Sequence, residues 1–547
     1  VSRLALPAAL LVVLAACGHG VEPGSFRFAE VPPETSGLTF VHELPGGVLD
    51  NTVKSAMGGV ALIDYDGDGK VDVFCTNCGW DERVGPRDAK PAKVPTCRLY
   101  RNLGGMRFED VTEKAGVAFA GAAFGACVGD FDGDGRPDLF VSAYGRPALY
   151  RNEGDGTFKD VAEKAGLEPG LYAGATFLDY DRDGVLDLFA SQYVDPKDID
   201  PALNRPGDFA PPSAYEAKPA RLWHGRGDGT FEDVTFKAGI GSSGKGMGVV
   251  ATDVDGDGWI DIVVANDTMP NFVWRNQGDG TFADAAARLG LAFGADGEPR
   301  ASMGVTACDL DGDGRLDYLV PDTHGGAVDV ASGKFFTDRS LDWGFKKMTF
   351  GFIGWTDVAL DAENDGRIDV WKVHGDLRHC EKGDGQWSKL VSNRGPIGPK
   401  GAMHFEYNPP VGDPAECAEA EITGRGAVAA DFDDDGREDL LVIDLKGPAR
   451  LFRNVTDKPG HWVRIRLEGR IRNTMALGAR VTGRAGDLNV VREVCGSTGY
   501  ISAPDVRLHI GLGDAKSLDD VVVRWPTGKE QKIGSLAADR DHVIREP

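Results

Sequence analysis

The chain has 547 residues, 85 of them acidic against 60 basic, for a formal net charge of −25. That balance argues against nucleic acid or an anionic lipid surface as the partner. With 75 glycines and 30 prolines, the chain falls below the ~25–30% of a low-complexity sequence yet is rich in turn formers, and its length allows more than one domain.

The chain opens with Arg3 before an apolar run, Leu4–Leu14, and then Leu14-Ala15-Ala16-Cys17. The run is too short to span a membrane as a helix and reads as an export signal. Its end resembles a bacterial lipobox, which implies cleavage before Cys17 and lipidation of that thiol. An ordinary signal peptide with an incidental cysteine is the alternative. Residues 1–17 are thus expected to be a lipoprotein signal, and the rest exported and anchored at the outer membrane or cell surface.

From residue 64 a nine-residue phrase, Asp-x-Asp-x-Asp-Gly-x-x-Asp, occurs seven times. The first copy supplies Asp64, Asp66, Asp68 and Asp72; the second Asp130, Asp132, Asp134 and Asp138; the third Asp179, Asp181, Asp183 and Asp187. The fourth supplies Asp253, Asp255, Asp257 and Asp261; the fifth Asp309, Asp311, Asp313 and Asp317. The sixth has Asp361, Glu363, Asp365 and Asp369, and the seventh Asp431, Asp433, Asp435 and Asp439. Carboxylates at positions 1, 3, 5 and 9, with a glycine at 6 for the sharp turn, are hard oxygen donors suited to Ca²⁺. About seven ions are expected, carrying +14 and bringing the charge from −25 to −11.

These are not EF-hands. Position 12 is Cys75, Val141, Ala190, Val264, Val320, Lys372 or Val442, never the glutamate an EF-hand requires. The segment after each loop is short, apolar and often β-branched (VDVF, PDLF, IDIVV), so each unit reads as strand, metal loop, strand. A second phrase then recurs, as in RLYRNLGGMRFEDVTEKAG from Arg98 and ALYRNEGDGTFKDVAEKAG from Ala148, with a Gly-Asp-Gly hairpin signal in most copies. Successive loops start 66, 49, 74, 56, 52 and 70 residues apart, which suits one four-stranded propeller blade each. The seventh copy stops at Asn454, and Gly24–Phe40 (GSFRFAEVPPETSGLTF) reads as its missing half. The expected fold is therefore all-β: a seven-bladed β-propeller over residues 25–455, its last blade closed by the N-terminal segment so that no sheet edge is left free.

After Gly460 the aspartate loops cease, and alternating strands with glycine turns predict a small β-sandwich-like domain over residues 460–547, docked beside blade 7. Asn473, Gly478-Ala479-Arg480-Val481, Arg492-Glu493, Gly499-Tyr500, His509-Ile-Gly-Leu-Gly513 and Val523-Arg-Trp-Pro-Thr-Gly528 resemble the ASPIC/UnbV domain of the cartilage acidic protein family. The aspartate phrases resemble that family's integrin-like FG-GAP (VCBS) repeats. The resemblance implies an extracellular calcium-binding protein without an agreed reaction.

In an exported chain, disulfides among Cys75, Cys78, Cys97, Cys380 and Cys417 are the leading expectation; zinc is the weaker one, since Cys75-x-x-Cys78 has no partnering pair. Cys127 and Cys308 read as small buried residues. Gly239–Lys245 begins like a phosphate loop but runs into a strand, and His374, His379 and Cys380 read as a loop accident rather than a metal site. No catalytic motif is present, and the paired carboxylates are accounted for by metal. Two functions are compatible with these features: a calcium-braced binding or adhesion scaffold for an extracellular protein or glycan, expected to be monomeric, or an enzyme acting on a polysaccharide or other cell-surface polymer. Three long insertions, Gly79–Thr96, Tyr193–Ala220 and Asp376–Gly401, are expected to crowd the face opposite the metal loops and present Trp80, Arg83, Arg87, Tyr215, Trp387 and Arg394 to a partner.

Overall fold

The computed structural model describes residues 27–44, 51–81, 93–198, 208–349, 351–377, 386–397, 402–407, 421–470 and 472–547. The signal segment with Cys17, Arg83, Arg87, His379, Cys380 and Cys417 lies outside them.

Seven four-stranded antiparallel units succeed one another, each in the strand order A-B-C-D. Blade 1 is Val60–Ile63, Asp72–Cys75, Arg98–Gly104 and Arg107–Asp110; blade 2 is Ala122–Gly129, Asp138–Gly145, Ala148–Asn152 and Phe158–Asp160. Blade 3 is Gly170–Leu178, Asp187–Gln192, Arg221–Gly225 and Phe231–Asp233; blade 4 is Gly246–Thr252, Asp261–Asn266, Phe272–Asn276 and Phe282–Asp284. Blade 5 is Thr306–Cys308, Asp317–Val320, Ala327–Ser332 and Phe335–Asp338; blade 6 is Gly354–Leu360, Asp369–His374, Lys389–Ile397 and Ala402–Tyr407. Blade 7 takes Gly424–Ala430, Asp439–Asp444 and Arg450–Asn454 from one end of the repeat array and Phe28–Val31 from the other. In that closing ladder Phe28 pairs with Asn454 and Val31 with Leu451, and Glu30 holds Arg450 through an ion pair. The A strands touch one another in cyclic order, from blade 1 round to blade 7 and back, so the arrangement is a closed ring.

The A strands are small-residue strands (AAFGACVG, GMGVVAT, GRGAVAA) because they line the crowded centre. A register shift sits near the start of A in blades 2, 3, 4, 6 and 7, the mark of a β-bulge. In blades 2 and 3 the bulged glycine amide is satisfied by a strand B hydroxyl: Gly125 N donates to Ser142 Oγ at 3.0 Å and Gly174 N to Ser191 Oγ at 3.1 Å. Neighbouring blades are also stapled by asparagines near the end of strand C. Asn102, Asn152, Asn276, Asn393 and Asn454 each send Nδ2 to a carbonyl in the preceding blade's metal loop: Phe432, Tyr65, Tyr180, Leu310 and Ala362, at 2.7–2.9 Å. Gly225 and Ala331 stand at this place in blades 3 and 5, which lack the staple.

The C-terminal unit has two sheets. One holds Leu508–Gly513, His461–Glu468 and Arg540–Arg545; the other holds Leu488–Glu493, Arg480–Ala485, Ser517–Arg524 and Glu530–Ala537. It is not docked beside blade 7. It lies across the metal-loop face, where its core (Val463, Ile465, Val481, Val523, Trp525) is continuous with Phe131 and Leu186 near the loops of blades 2 and 3. The run Cys495–Ala503 (CGSTGYISA) then descends into the centre of the ring. Ser497 Oγ donates to Val249 O at 2.7 Å, Gly499 exchanges backbone bonds with Val305, and Ala503 N donates to Val60 O at 3.0 Å. Tyr500, fully buried, packs edge-on against Trp355 and donates to the Ala56 carbonyl at the far end of the ring. Glycine on strand A or just before it permits this approach: a Cβ at Gly59 would stand 2.4 Å from Ile501 O, and one at Gly248 2.6 Å from Gly499 O. The chain fills its own central channel.

Three expectations need correction. Cys75, Cys78 and Cys97 are buried and not bridged to one another, for they face three different clusters: towards blade 7, towards the channel and towards blade 2. Their alternating directions keep them unbridged. The blade 6 insertion is shorter than Asp376–Gly401, because Lys389–Ile397 is strand C; Arg394 lies on the metal-loop face, 2.9 Å from Glu363 Oε1. Tyr215 is buried among Tyr193, Val194 and Tyr144 rather than presented to solvent.

Replacing Tyr500 by alanine removes a ring that packs among Phe124, Tyr144, Met247, Met303 and Trp355 of several blades, and should cost about 3–5 kcal/mol, the range for large aromatic truncations in a core. A loss of unfolding free energy, taken from the denaturation midpoint and slope, of less than about a fifth of that would argue against the channel filling. Asn152→Ala should cost about 1–3 kcal/mol by leaving Tyr65 O unpaired, measured the same way.

Candidate metal centres

Every loop is built by one hydrogen-bond scheme. The position 1 aspartate accepts from the position 6 glycine amide in all seven, for example Gly69 N to Asp64 Oδ2 at 3.1 Å and Gly366 N to Asp361 Oδ2 at 2.8 Å. The position 5 carboxylate accepts from the position 7 amide, as in Arg136 N to Asp134 at 3.0 Å. The buried position 9 aspartate accepts twice: from the position 2 amide (Tyr65 N to Asp72 Oδ2, 3.1 Å) and from strand C (Asn102 N to Asp72 Oδ1, 2.7 Å). The same pair of bonds recurs at Asp138, Asp187, Asp261, Asp317, Asp369 and Asp439. Position 9 therefore ties loop to sheet.

The turn makes two conformational demands, of which the sequence reading identified one. Position 6 is glycine at φ of 85–94° in every loop. Position 4 is also left-handed throughout: glycine in four loops, and Arg182 (62°), Asn364 (55°) and Asp434 (58°) in the others. The repeated Gly at that place in the Asp-Gly-Asp-Gly copies was the available signal.

The folded loops bring the carboxylates together. Oxygens of Asp64, Asp66 and Asp72 lie within 4.8 Å of one another, as do those of Asp130, Asp132 and Asp138, of Asp179, Asp181 and Asp183, and of Asp253, Asp255 and Asp261. Burial, with neighbouring carboxylates adding to it, pushes Asp72 up to about 8, Asp138 to about 9 and Asp179, Asp261 and Asp317 to about 8. Six loops also leave a buried carboxylate oxygen without a hydrogen-bond partner: Asp64 Oδ1, Asp132 Oδ1, Asp179 Oδ1, Asp253 Oδ1, Glu363 Oε2 and Asp433 Oδ1. An unsatisfied buried anion is costly. A cation at these oxygens would satisfy them, and an all-oxygen donor set suits Ca²⁺. In loop 5 the two oxygens of Asp309 are both taken by amides, Gly312 N and Gly314 N, at 2.9 and 3.0 Å.

Protein cations reach the same carboxylates from two sides. From strand C, Arg101 Nε lies 2.6 Å from Asp66, Arg275 Nη2 2.7 Å from Asp257 and Arg453 Nε 2.6 Å from Asp433. From the C-terminal unit, Arg524 Nη2 lies 2.6 Å from Asp253 Oδ2, Arg464 Nη1 3.3 Å from Asp431 Oδ2, and Thr474 donates to Asp130. His509 Nε2 meets Asn364 Oδ1 at 2.7 Å, and Arg507 donates to Gly69 O at 3.0 Å. Sequence reasoning missed these contacts; the arginine of the recurring Tyr-Arg-Asn phrase was a legible clue, whereas the C-terminal residues carry no local pattern.

Between the two parts lies a cavity of about 160 Å³, lined in part by Glu438, Arg492, Cys495, Arg507 and His509. Ligand pockets are usually ~300–1,000 Å³; this cavity falls below that range, whereas two further recesses on the loop face fall within it, one of about 400 Å³ beside Asp64, Thr474 and Arg507 and one of about 460 Å³ beside Asp253, Arg275 and Arg480. Burial pushes His509 down to about 3, leaving it neutral there. The phosphate-loop look-alike ends in a short ladder, Ser243–Gly244 with Lys218–Pro219, and no helix comes after it.

The ASPIC and UnbV family matches residues 469–547, and the FG-GAP-like repeat matches 64–141, 130–190, 213–264 and 253–320. Cartilage acidic protein 1 of Mus musculus is 26% identical over 361 residues, 62% of this chain and 50% of its own length; the Homo sapiens protein is 26% identical over 62% of this chain and 49% of its own. The chain thus spans about half the length of the curated relatives it matches. Among solved structures, a lectin from Burkholderia pseudomallei aligns with 74% of this chain and 98% of its own at 13% identity and a TM-score of 0.44. The extracellular domain of a putative hybrid two-component system from B. thetaiotaomicron aligns with 93% and 53% at 11% identity and a TM-score of 0.39. The chain is thus an all-β, FG-GAP-repeat protein with an ASPIC and UnbV unit at residues 469–547, homologous to cartilage acidic protein 1.

Proposed function

We propose that this protein is a calcium-braced binding scaffold, exported and anchored by a lipid on Cys17, that engages an extracellular protein or glycan through the face of the ring opposite the metal loops. The observation that carries the calcium reading is the set of six buried carboxylate oxygens without partners, one per loop in six of the seven loops. Support for the choice of face comes from what is covered. The C-terminal unit lies over much of the loop face, where recesses of about 400 and 460 Å³ remain, and Cys495–Ala503 fills the channel, so the ring's centre offers no recess for a polymer chain. The connections between strands B and C open on the other side, on a rigid ring, where recognition loops are commonly carried. The same blockage weighs against an enzyme working at the ring's centre. The four-residue lipobox-like end of the signal segment supports the anchor.

Calcium bound to the folded chain adds RT ln(1 + [Ca²⁺]/Kd) per site, about 2.7 kcal/mol at a hundredfold excess over Kd. Exhaustive chelation should therefore lower the melting temperature by many degrees, and re-addition should restore it; a melting curve indifferent to EDTA would remove the calcium reading.

The pH dependence should change sign with the metal. Without it, Asp72, Asp138, Asp179, Asp261 and Asp317 have folded pKa values of about 8–9, above the ordinary 3.8. Their contribution is complete below about pH 4 and is lost as pH rises through about 8. With excess Ca²⁺ the ion competes against protons, so stability should rise over pH 5–8. Melting temperatures at pH 5 and pH 8, in EDTA and in CaCl₂, test this; parallel slopes would count against it.

The recognition face is tested by screening glycans and surface proteins against the full chain in Ca²⁺ and in EDTA. Binding should need Ca²⁺, weaken at least tenfold when the Tyr193–Ala220 connection is shortened, and survive Asp228→Asn in the blade 3 hairpin turn. The reverse pattern would place recognition on the loop face.

A further inference from the structure

Blade 3 differs from its neighbours at one ligand-bearing place. The strand C residue just before the staple position is arginine in blades 1, 2, 4 and 7 (Arg101, Arg151, Arg275 and Arg453). In blade 3 it is His224, placed by the pairing of Trp223 with Leu188 and of His224 with Glu232. Arginine stays protonated and has no lone pair to give a metal, so it serves only as a counter-charge. A neutral imidazole is a ligand.

His224 also reaches the buried position 9 carboxylate. Its Nδ1 is hydrogen-bonded to Asp187 Oδ1 at 3.0 Å and lies 3.5 Å from Asp181 Oδ2, so it reaches positions 9 and 3 of the loop together; an ion at Nδ1 would take the place of the proton in that hydrogen bond. The three ligand atoms form one cluster within 4.8 Å. Ligands about 2.1 Å from a shared ion are about 3.0 Å apart in an octahedral shell and about 3.4 Å apart in a tetrahedral one; the two distances from Nδ1 are close to those edges. The ring is steadied by an edge contact with Tyr180, centroids 6.0 Å apart. A second observation points to a missing ion. Asp179, 3% exposed, belongs to the adjoining cluster with Asp181 and Asp183, and its buried Oδ1 has no partner.

We infer that loop 3 is a mixed nitrogen–oxygen centre, held by Asp179, Asp181, Asp187 and His224, that selects a divalent first-row transition ion such as Zn²⁺ over Ca²⁺. Nitrogen donors favour these ions and add little for Ca²⁺, which takes oxygen. The ring would then carry calcium in oxygen-only loops and one different ion in blade 3. This inference rests on the loops being cation sites at all.

The full chain is dialysed to equilibrium against millimolar CaCl₂ with micromolar ZnCl₂, and bound metals are counted by mass spectrometry; a zinc-free arm counts Ca²⁺ alone. His224→Arg restores the residue found in blades 1, 2, 4 and 7, and its melting temperature reports whether it folds; His224→Gln serves as a second variant. Wild type should retain one Zn²⁺ per chain, and both variants should lose at least tenfold in Zn²⁺ affinity while the zinc-free Ca²⁺ count falls by no more than one. Zinc-edge absorption should show an imidazole and oxygen shell. The inference fails if wild type retains no Zn²⁺ in Ca²⁺, if the variants retain as much as wild type, or if the shell contains sulfur from the buried thiols. Absence of Ca²⁺ in the zinc-free arm would instead overturn the reading of the loops as calcium sites.

Discussion

Each loop sets a fully buried position 9 aspartate among two or three further carboxylates, and like charges in a poorly solvated pocket repel strongly unless something positive intervenes. Much of the architecture reflects how that repulsion is met. Backbone amides take one share: the position 6, 7 and 2 N–H groups each point at a carboxylate in every loop. Arginines from strand C and the C-terminal unit take another, and the oxygens still unpartnered are those that a cation would hold. Because the position 9 aspartate also accepts from strand C, whatever stabilises its charge stabilises the junction of loop and sheet.

The C-terminal unit is part of the ring's construction and not an appendage to it. Arg524, Arg464 and Thr474 meet position 1 carboxylates in loops 4, 7 and 2, while Cys495–Ala503 contacts the A strands from within. A propeller whose centre is filled by its own chain gains inter-blade contacts that sheet pairing alone does not give. Under the function proposed above, recognition would fall to the face opposite the loops and the connections there, as when function is grafted onto a rigid scaffold.

The features legible in the sequence were those that repeat at short range. Asp-x-Asp-x-Asp-Gly-x-x-Asp disclosed the turn and the clustering of its carboxylates because all nine residues belong to one loop, and closure by Phe28–Val31 was legible because the seventh repeat lacked its outer half. Asn152 and its equivalents were visible in the Tyr-Arg-Asn phrase, yet their partners belong to the preceding blade, so the phrase could not disclose the staple. The C-terminal docking was misjudged for a similar reason. Arg464, Arg480 and Arg524 stand on three strands far apart in sequence, and CGSTGYISA has neither helical nor strand periodicity. Its counterpart, a small residue such as Gly59 or Gly248 at the start of each A strand, becomes intelligible only when the channel is seen to be filled.

If cations neutralise the loops and thereby hold the loop face and the C-terminal unit together, both should respond to the metal at once. Hydrogen–deuterium exchange of the full chain in Ca²⁺ and in EDTA reads this directly. The account predicts that chelation accelerates exchange in the loop amides, among them Gly69, Gly135 and Gly436, and in the backbone of Thr498–Ala503 within the same titration. Unchanged exchange at both places, or loss at the loops with the channel segment still fully protected, would contradict it.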